Sequence, residues 1–161
     1  MSDLSGKIAR HIIDCDADPY LPNAWEGVHS HRKGGHVEWN PENFRIYIPS
    51  LQQDGKRIRI HDFCDQCKDQ PLANANVLDW LLANQELIPD AWIKSQPCFL
   101  GTVYLDRDGY RCVRSLYFYM VARRWCWCTY WLYDGLSCQA PVLFVGNQLV
   151  LEAKILYLES L

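Results

Sequence analysis

Cys64 and Cys67 form a single C-x-x-C, and His61 stands three residues ahead of the pair. Thiolates at that spacing can share one tetrahedral zinc ion with a nearby imidazole, but a closed structural site needs four ligands. The remaining ligand would have to come from His29, His31 or His36, which follow no zinc spacing rule. The plainer reading is a thiol pair at a helix start with no metal. A redox dithiol is less favoured still, because that chemistry expects the pair after a strand of a βαβ unit. No cofactor is therefore expected, and His61, Cys64 and Cys67 define the rival reading, a small metal- or thiol-dependent enzyme.

Other reactive groups reduce to simpler roles. Alternating Asp14, Asp16 and Asp18 begin as a calcium loop does, yet Pro19 and Pro22 stand where the glycine and distal glutamate would be needed, so the run reads as a solvated turn. Cys15 lies between two of these carboxylates, which disfavour a thiolate and make it a poor nucleophile. A Cys-His hydrolase finds no local signature. Arg32 to Gly35 lacks the spacing of a phosphate-cradling loop and reads as a basic turn.

The segment from Ser115 to Ala140 is different. It carries Tyr117, Phe118, Tyr119, Trp125, Trp127, Tyr130, Trp131 and Tyr133, interleaved with Ser115, Cys126, Cys128, Thr129, Ser137 and Cys138. With Trp125, Trp127 and Trp131 facing a core, the residues between them project outward. Rigid rings mixed with small residues then make a surface like a paratope. An unusually aromatic hydrophobic core fits the same pattern.

The elements that must position these groups follow from periodicity. Ile8, His11, Ile12 and Ile13 predict a short N-terminal helix over Leu4 to Asp14, with His11 as a packed helix residue. Trp25 to Gly35 reads as a loop and His36 to Trp39 as a strand. Phe44, Ile46 and Ile48 alternate with polar neighbours, as do Ile58 and Ile60, and Asp54-Gly55 between them predicts a hairpin. Leu72, Val77, Leu78, Leu81 and Leu82 follow helical spacing, with Asn74 or Asn76 as N-cap. A helical fragment near Glu86 to Lys94 has Pro89 in its first turn. Alternation on both sides of Asp106 to Gly109 predicts a second hairpin. Arg123 to Pro141 reads as strand, loop and strand or as a packed irregular segment, and residues 147–160 as a C-terminal helix.

Composition narrows the function. In 161 residues the formal net charge is −3, which lacks the basic footprint of nonspecific nucleic-acid binding. No stretch approaches a bilayer span, and charges near Met1 interrupt any signal-peptide core, so a cytoplasmic protein with reduced thiols is the expectation.

Three motifs carry a resemblance. NANVLDWLLAN-x-ELIPDAW (Asn74 to Trp92), GTVYLDRDGYRCVRSLY (Gly101 to Tyr117) and RWCWCTYWL (Arg124 to Leu132), with Pro141 beyond, resemble a group of small bacterial proteins with a constant N-terminal part and a hypervariable, Trp-framed C-terminal part. That layout is similar to the variable proteins of diversity-generating retroelements, whose template is copied with errors at adenines. The resemblance spans roughly residues 5–141 and is most specific over Asn74 to Trp92. Adenine randomisation of an Asn codon yields residues of the kind found at Cys126, Cys128, Thr129, Tyr130, Tyr133, Asp134, Gly135, Leu136, Ser137 and Cys138. Met120 and Gln139 fall outside that set, and the Trp codon contains no adenine to randomise.

The resemblance implies a ligand-binding scaffold rather than an enzyme, recognising a protein or surface ligand, with a C-type-lectin-like fold as the leading analogy. The expectation is one α+β domain over residues 1–161, built of antiparallel hairpins and a few short helices. Residues 1–114 would be a constant scaffold and 115–141 the ligand-binding segment. Its contact residues would be Tyr117, Phe118, Tyr119, Cys126, Cys128, Thr129, Tyr130, Tyr133, Ser137 and Cys138, with Trp125, Trp127 and Trp131 as the supporting frame.

Overall fold

The computed structural model describes residues 10–47, 58–59, 62, 70–133, 135–136 and 141–146. The fold is α+β, with antiparallel strand pairs around an α-helix. Strands β1 (Ile12–Asp14) and β3 (His36–Glu38) pair with each other. A four-stranded sheet runs in the order β2 (Gly27–His31), β6 (Thr102–Leu105), β7 (Arg111–Tyr119), β8 (Arg124–Trp131). Two further pairs join β4 (Phe44–Tyr47) to β10 (Val142–Val145) and β5 (Ile58–Arg59) to β9 (Gly135–Leu136). No helix among the described residues is long and apolar enough to cross a membrane.

Helix α1 (Ala75–Ala83) forms where its spacing predicts. Asn74 is its N-cap, its Oδ1 accepting from the Asn76 N–H at 3.1 Å, while its Nδ2 donates to the carbonyls of Cys15 and Arg32 at 2.9 Å each. One buried amide thus caps the helix and ties it to two distant segments. Gly101 lies against this start: a Cβ there would stand 2.9 Å from the Leu72 and Ala73 carbonyl oxygens and from the Asn74 Cα. Those are backbone atoms with little freedom to yield, so only glycine fits the approach. Around Pro89 the expected helical fragment is two 3-10 turns, Gln85–Leu87 and Asp90–Trp92.

Three expectations are corrected. Ile12 to Asp14 is strand rather than the end of a helix: Ile13 is buried between exposed neighbours, and β3 supplies the main-chain partners. His11 is accordingly exposed, its ring edge-on to Trp80 at 5.6 Å. The expected loop of Trp25 to Gly35 contains β2, whose mostly exposed GVHSH shows no hydrophobic alternation because β6 holds it through the main chain. Finally, β4 and β5 do not form a hairpin with each other. Val142, Leu143 and Phe144 of β10 are almost wholly buried and take β4 as their partner from the far end of the chain. The Asp54-Gly55 turn and the helix expected at 147–160 lie outside the described residues.

The core has two sides. Leu78 and Leu81 of α1 pack with Leu116, Trp125, Phe99 and Leu143 on one side. On the other, Val113 and Leu132 pack with Cys98, Val142, Phe144 and Tyr47. Strand β7 lies between them, so Cys112 to Leu116 are buried without a break.

Candidate functional site

The candidate site is the β7–β8 hairpin, whose register pairs Cys112 with Trp131 and continues regularly to Tyr119 with Arg124. Successive side chains of a strand point to opposite faces. Trp125, Trp127, Thr129 and Trp131 therefore share one face with Arg114, Leu116 and Phe118. Cys126, Cys128 and Tyr130 share the other with Ser115, Tyr117 and Tyr119.

The Trp face is turned inward and held from outside the hairpin. Trp125 is buried against α1 and meets Phe118 edge-on at 5.2 Å. Its main chain is clasped by the Gln85 side chain: the Trp125 N–H donates to Oε1 at 2.8 Å and Nε2 donates to the Trp125 carbonyl at 3.1 Å. Trp127 is half-buried and meets Trp25 edge-on at 5.7 Å. Trp131 donates its indole N–H to Asp106 Oδ2 at 2.8 Å. Asp106 also accepts from the N–H groups of Asp108 and Tyr110, closing the β6–β7 turn in which Gly109 has a φ of 81°. These hydrogen bonds, that of Trp131 above all, favour the charged carboxylate and hold the Asp106 pKa below its ordinary value.

At the centre of this face lies Arg114, 1% exposed, a residue that no sequence pattern singles out. Its Nη2 meets Asp79 Oδ1 of α1 at 2.8 Å. Its guanidinium carbon stands 4.3 Å from the Trp127 ring centre and 5.5 Å from that of Tyr20. Nε and Nη1 have no hydrogen-bond partner among the described residues, and the ring faces take that place as cation–π partners. The one available signal was an arginine in a strand of otherwise core-like residues.

The opposite face is closed at its base and opens toward the tip. The Ser115 hydroxyl lies 3.0 and 3.1 Å from the carbonyls of Gln96 and Pro97, and the Tyr130 hydroxyl donates to Gln96 Oε1 at 2.9 Å. Burial pushes the Tyr130 phenol up to about 12, assisted by the neighbouring Cys128 and Cys98. Burial also raises the Cys128 thiol, against an opposing hydrogen bond from Ser115, so Cys128 is protonated at neutral pH and no activated nucleophile. Tyr117, Cys126 and Cys128 are half-buried, and Cys126 and Cys128 are free thiols. Exposure rises through Tyr119 at 42% and Met120 at 67% to Val121 at 83%. Arg123, with a φ of 50°, completes the turn.

Of the expected contact residues, Tyr117, Tyr119, Cys126, Cys128 and Tyr130 thus come together on one face. Phe118 and Thr129 lie on the Trp face, Tyr133 is exposed beyond the end of β8 beside Tyr110, and Ser137 and Cys138 lie outside the described residues. His61, Cys64 and Cys67 also lie outside them. Among the described residues no group of three His, Cys, Asp or Glu side chains is placed to hold a metal ion. Burial raises the thiol of Cys15 to about 11, with Asp14 and Asp16 adding to the effect as their spacing implies. Comparison with protein-family models, curated proteins and solved structures finds no match to this chain.

Proposed function

We propose that this chain is a ligand-binding scaffold in which the outward face of the β7–β8 hairpin recognises a protein or surface ligand, in the manner of a variable protein of a diversity-generating retroelement. One observation carries the reading: Trp125, Trp127 and Trp131 share a face with Arg114, Leu116 and Phe118, while Cys126 and Cys128 share the opposite face with Tyr117 and Tyr119, along which exposure rises toward the tip. A surface whose side chains are to vary needs a support that does not depend on them. Here the support is the Trp face, anchored by Gln85, Asp106 and Asp79 from elsewhere in the chain. Tyrosines with small residues are the composition that adapts to many ligands at low entropic cost. A C-type-lectin-like architecture remains part of this proposal by analogy alone.

Sequencing the gene across a natural population tests it. Substitutions should concentrate at the codons of Tyr117, Tyr119, Cys126 and Cys128, at adenine positions of a template copy, with the three tryptophan codons constant. Substitutions spread evenly over β7 and β8, tryptophans included, would overturn the reading.

A further inference from the structure

We propose that the outer edge of β8 pairs antiparallel with β8 of a second copy of this chain, an interface made by main chain rather than by the displayed side chains. Among the described residues strand β8 has β7 on one side only. The Leu132 N–H donates to the Arg111 carbonyl across the hairpin. Hydrogen-bonded pairs alternate in an antiparallel ladder, so Tyr130, Cys128 and Cys126 turn their main-chain groups toward β7. Those of Trp125, Trp127, Thr129 and Trp131 then point away from it. The far side of β7 has the matching phase: Phe99 donates to the Arg114 carbonyl and Leu116 to that of Pro97. Beyond β8, the Gln85 side chain takes both groups of Trp125. For Trp127, Thr129 and Trp131 no main-chain partner stands beyond that edge among the described residues.

Exposed edges are normally protected by charge, proline, a bulge or shortness. At the opposite end of the same sheet β2 is so protected, being five residues long, largely polar and broken in register between Val28 and Ser30. Over Trp125 to Trp131, β8 has no charged residue, no proline and no break in register. The edge is also self-complementary. A two-fold axis through Thr129 sets Thr129 against its own copy and Trp127 against Trp131 of the second copy. Both edges then have the same phase, so each outward N–H meets an outward carbonyl, and no like charges are brought opposite one another. Cross-strand aromatic pairs add to such a ladder. One strand edge is a small interface, so the dimer is expected to be weak and to form as concentration rises. Nothing in this pairing depends on Tyr117, Tyr119 or Cys126, and it stands apart from the ligand-recognition reading.

Light scattering from low-micromolar to near-millimolar protein should show monomer passing to dimer. Thr129→Pro removes only an outward N–H, a change that an edge strand tolerates, and should abolish the dimer while near-ultraviolet circular dichroism stays native. Hydrogen exchange on the unaltered chain gives an independent reading. The amides of Trp127 and Thr129 should gain protection with concentration, while those of Trp125 and Cys128, already bonded within the chain, should not change. A chain that stays monomeric overturns the proposal, whether or not the edge takes an extended segment of another protein. So does a dimer that survives in natively folded Thr129→Pro, or protection at Trp127 and Thr129 that is independent of concentration.

Discussion

The two faces of the β7–β8 hairpin alternate residue by residue along the same strands, yet they are held by different means. On the Trp face, anchors arrive from Asp79, Gln85 and Asp106, far away in sequence, and engage respectively the Arg114 guanidinium, the Trp125 main chain and the Trp131 indole. On the opposite face only the base is tied, through Gln96 and Pro97 to Ser115 and Tyr130, while Tyr117, Cys126 and Tyr119 grade into solvent. The long-range anchors and the face that grades into solvent are thereby separated by a single residue step. Toward the tip of that face a side chain such as Tyr119 can change without breaking a long-range hydrogen bond among the described residues, whereas Ser115 and Tyr130 at its base cannot.

The largest test of that separation is the buried ion pair. Asp79→Ala strands a guanidinium that is 1% exposed, and breaking such a pair costs about 3–5 kcal/mol. Arg114→Met should cost clearly less, because the Asp79 side chain keeps 31% of its surface in water and the Met chain fills the slot beside Trp127. Urea unfolding of both variants measures the asymmetry, and equal losses would show that the pair does not work through desolvation of the arginine.

Gln85→Ala removes both hydrogen bonds to the Trp125 main chain. Water can replace part of them at an edge, so the expected loss is about 1–2 kcal/mol. Thermal or urea unfolding would read it, and no loss would mean that the clasp is incidental to the Trp face.

Alkaline pH distinguishes the faces in a third way. Burial, with Asp106 adding to it, raises the Cys112 thiol from 9.0 to about 12, and burial raises the Tyr130 phenol from 10.0 to about 12. Each is an acid that the folded chain keeps protonated. Its contribution is whole below its unfolded value and is lost as pH rises toward its folded value, because the unfolded chain gives up the proton first. The melting temperature should therefore fall from about pH 9 upward. Cys112→Ala, on the Trp face, should flatten that fall more than Tyr130→Phe on the other, since its shift is the wider.

The smallest effect is expected at the tip. Tyr119→Ala should leave stability within about 0.5 kcal/mol, as for other exposed positions without long-range partners. A loss comparable to that of Gln85→Ala would show that the second face is structural, and the comparison would collapse.

Local signals in the sequence were reliable where one segment satisfies itself. The Asn74 cap and the apolar spacing behind it predict α1, and Asp106 to Gly109 predicts the β6–β7 turn, because the partners of those main-chain groups lie within a few residues. The alternation over Arg124 to Trp131 separates Trp125, Trp127 and Trp131 from Cys126, Cys128 and Tyr130 only once that segment is a strand, which the sequence left open beside a packed irregular segment. Thr129 and Phe118, by contrast, read from the sequence as contact residues although they occupy Trp-face positions. Their small or aromatic side chains suit either face, and only the register decides which one they take.

What the amino-acid sequence determined by itself was the α+β class, the helix and its cap, and the second hairpin about Asp106 to Gly109. These rest on backbone sterics and on hydrogen bonds spanning a few residues. The tertiary structure alone decided that β10 takes β4 as its partner, that Ile12 to Asp14 is strand, that GVHSH pairs with β6, and that Arg114 is sealed between Asp79, Trp127 and Tyr20. Each of these depends on groups brought together across the chain. Their free energy comes from burial and desolvation, which no local window of residues can register.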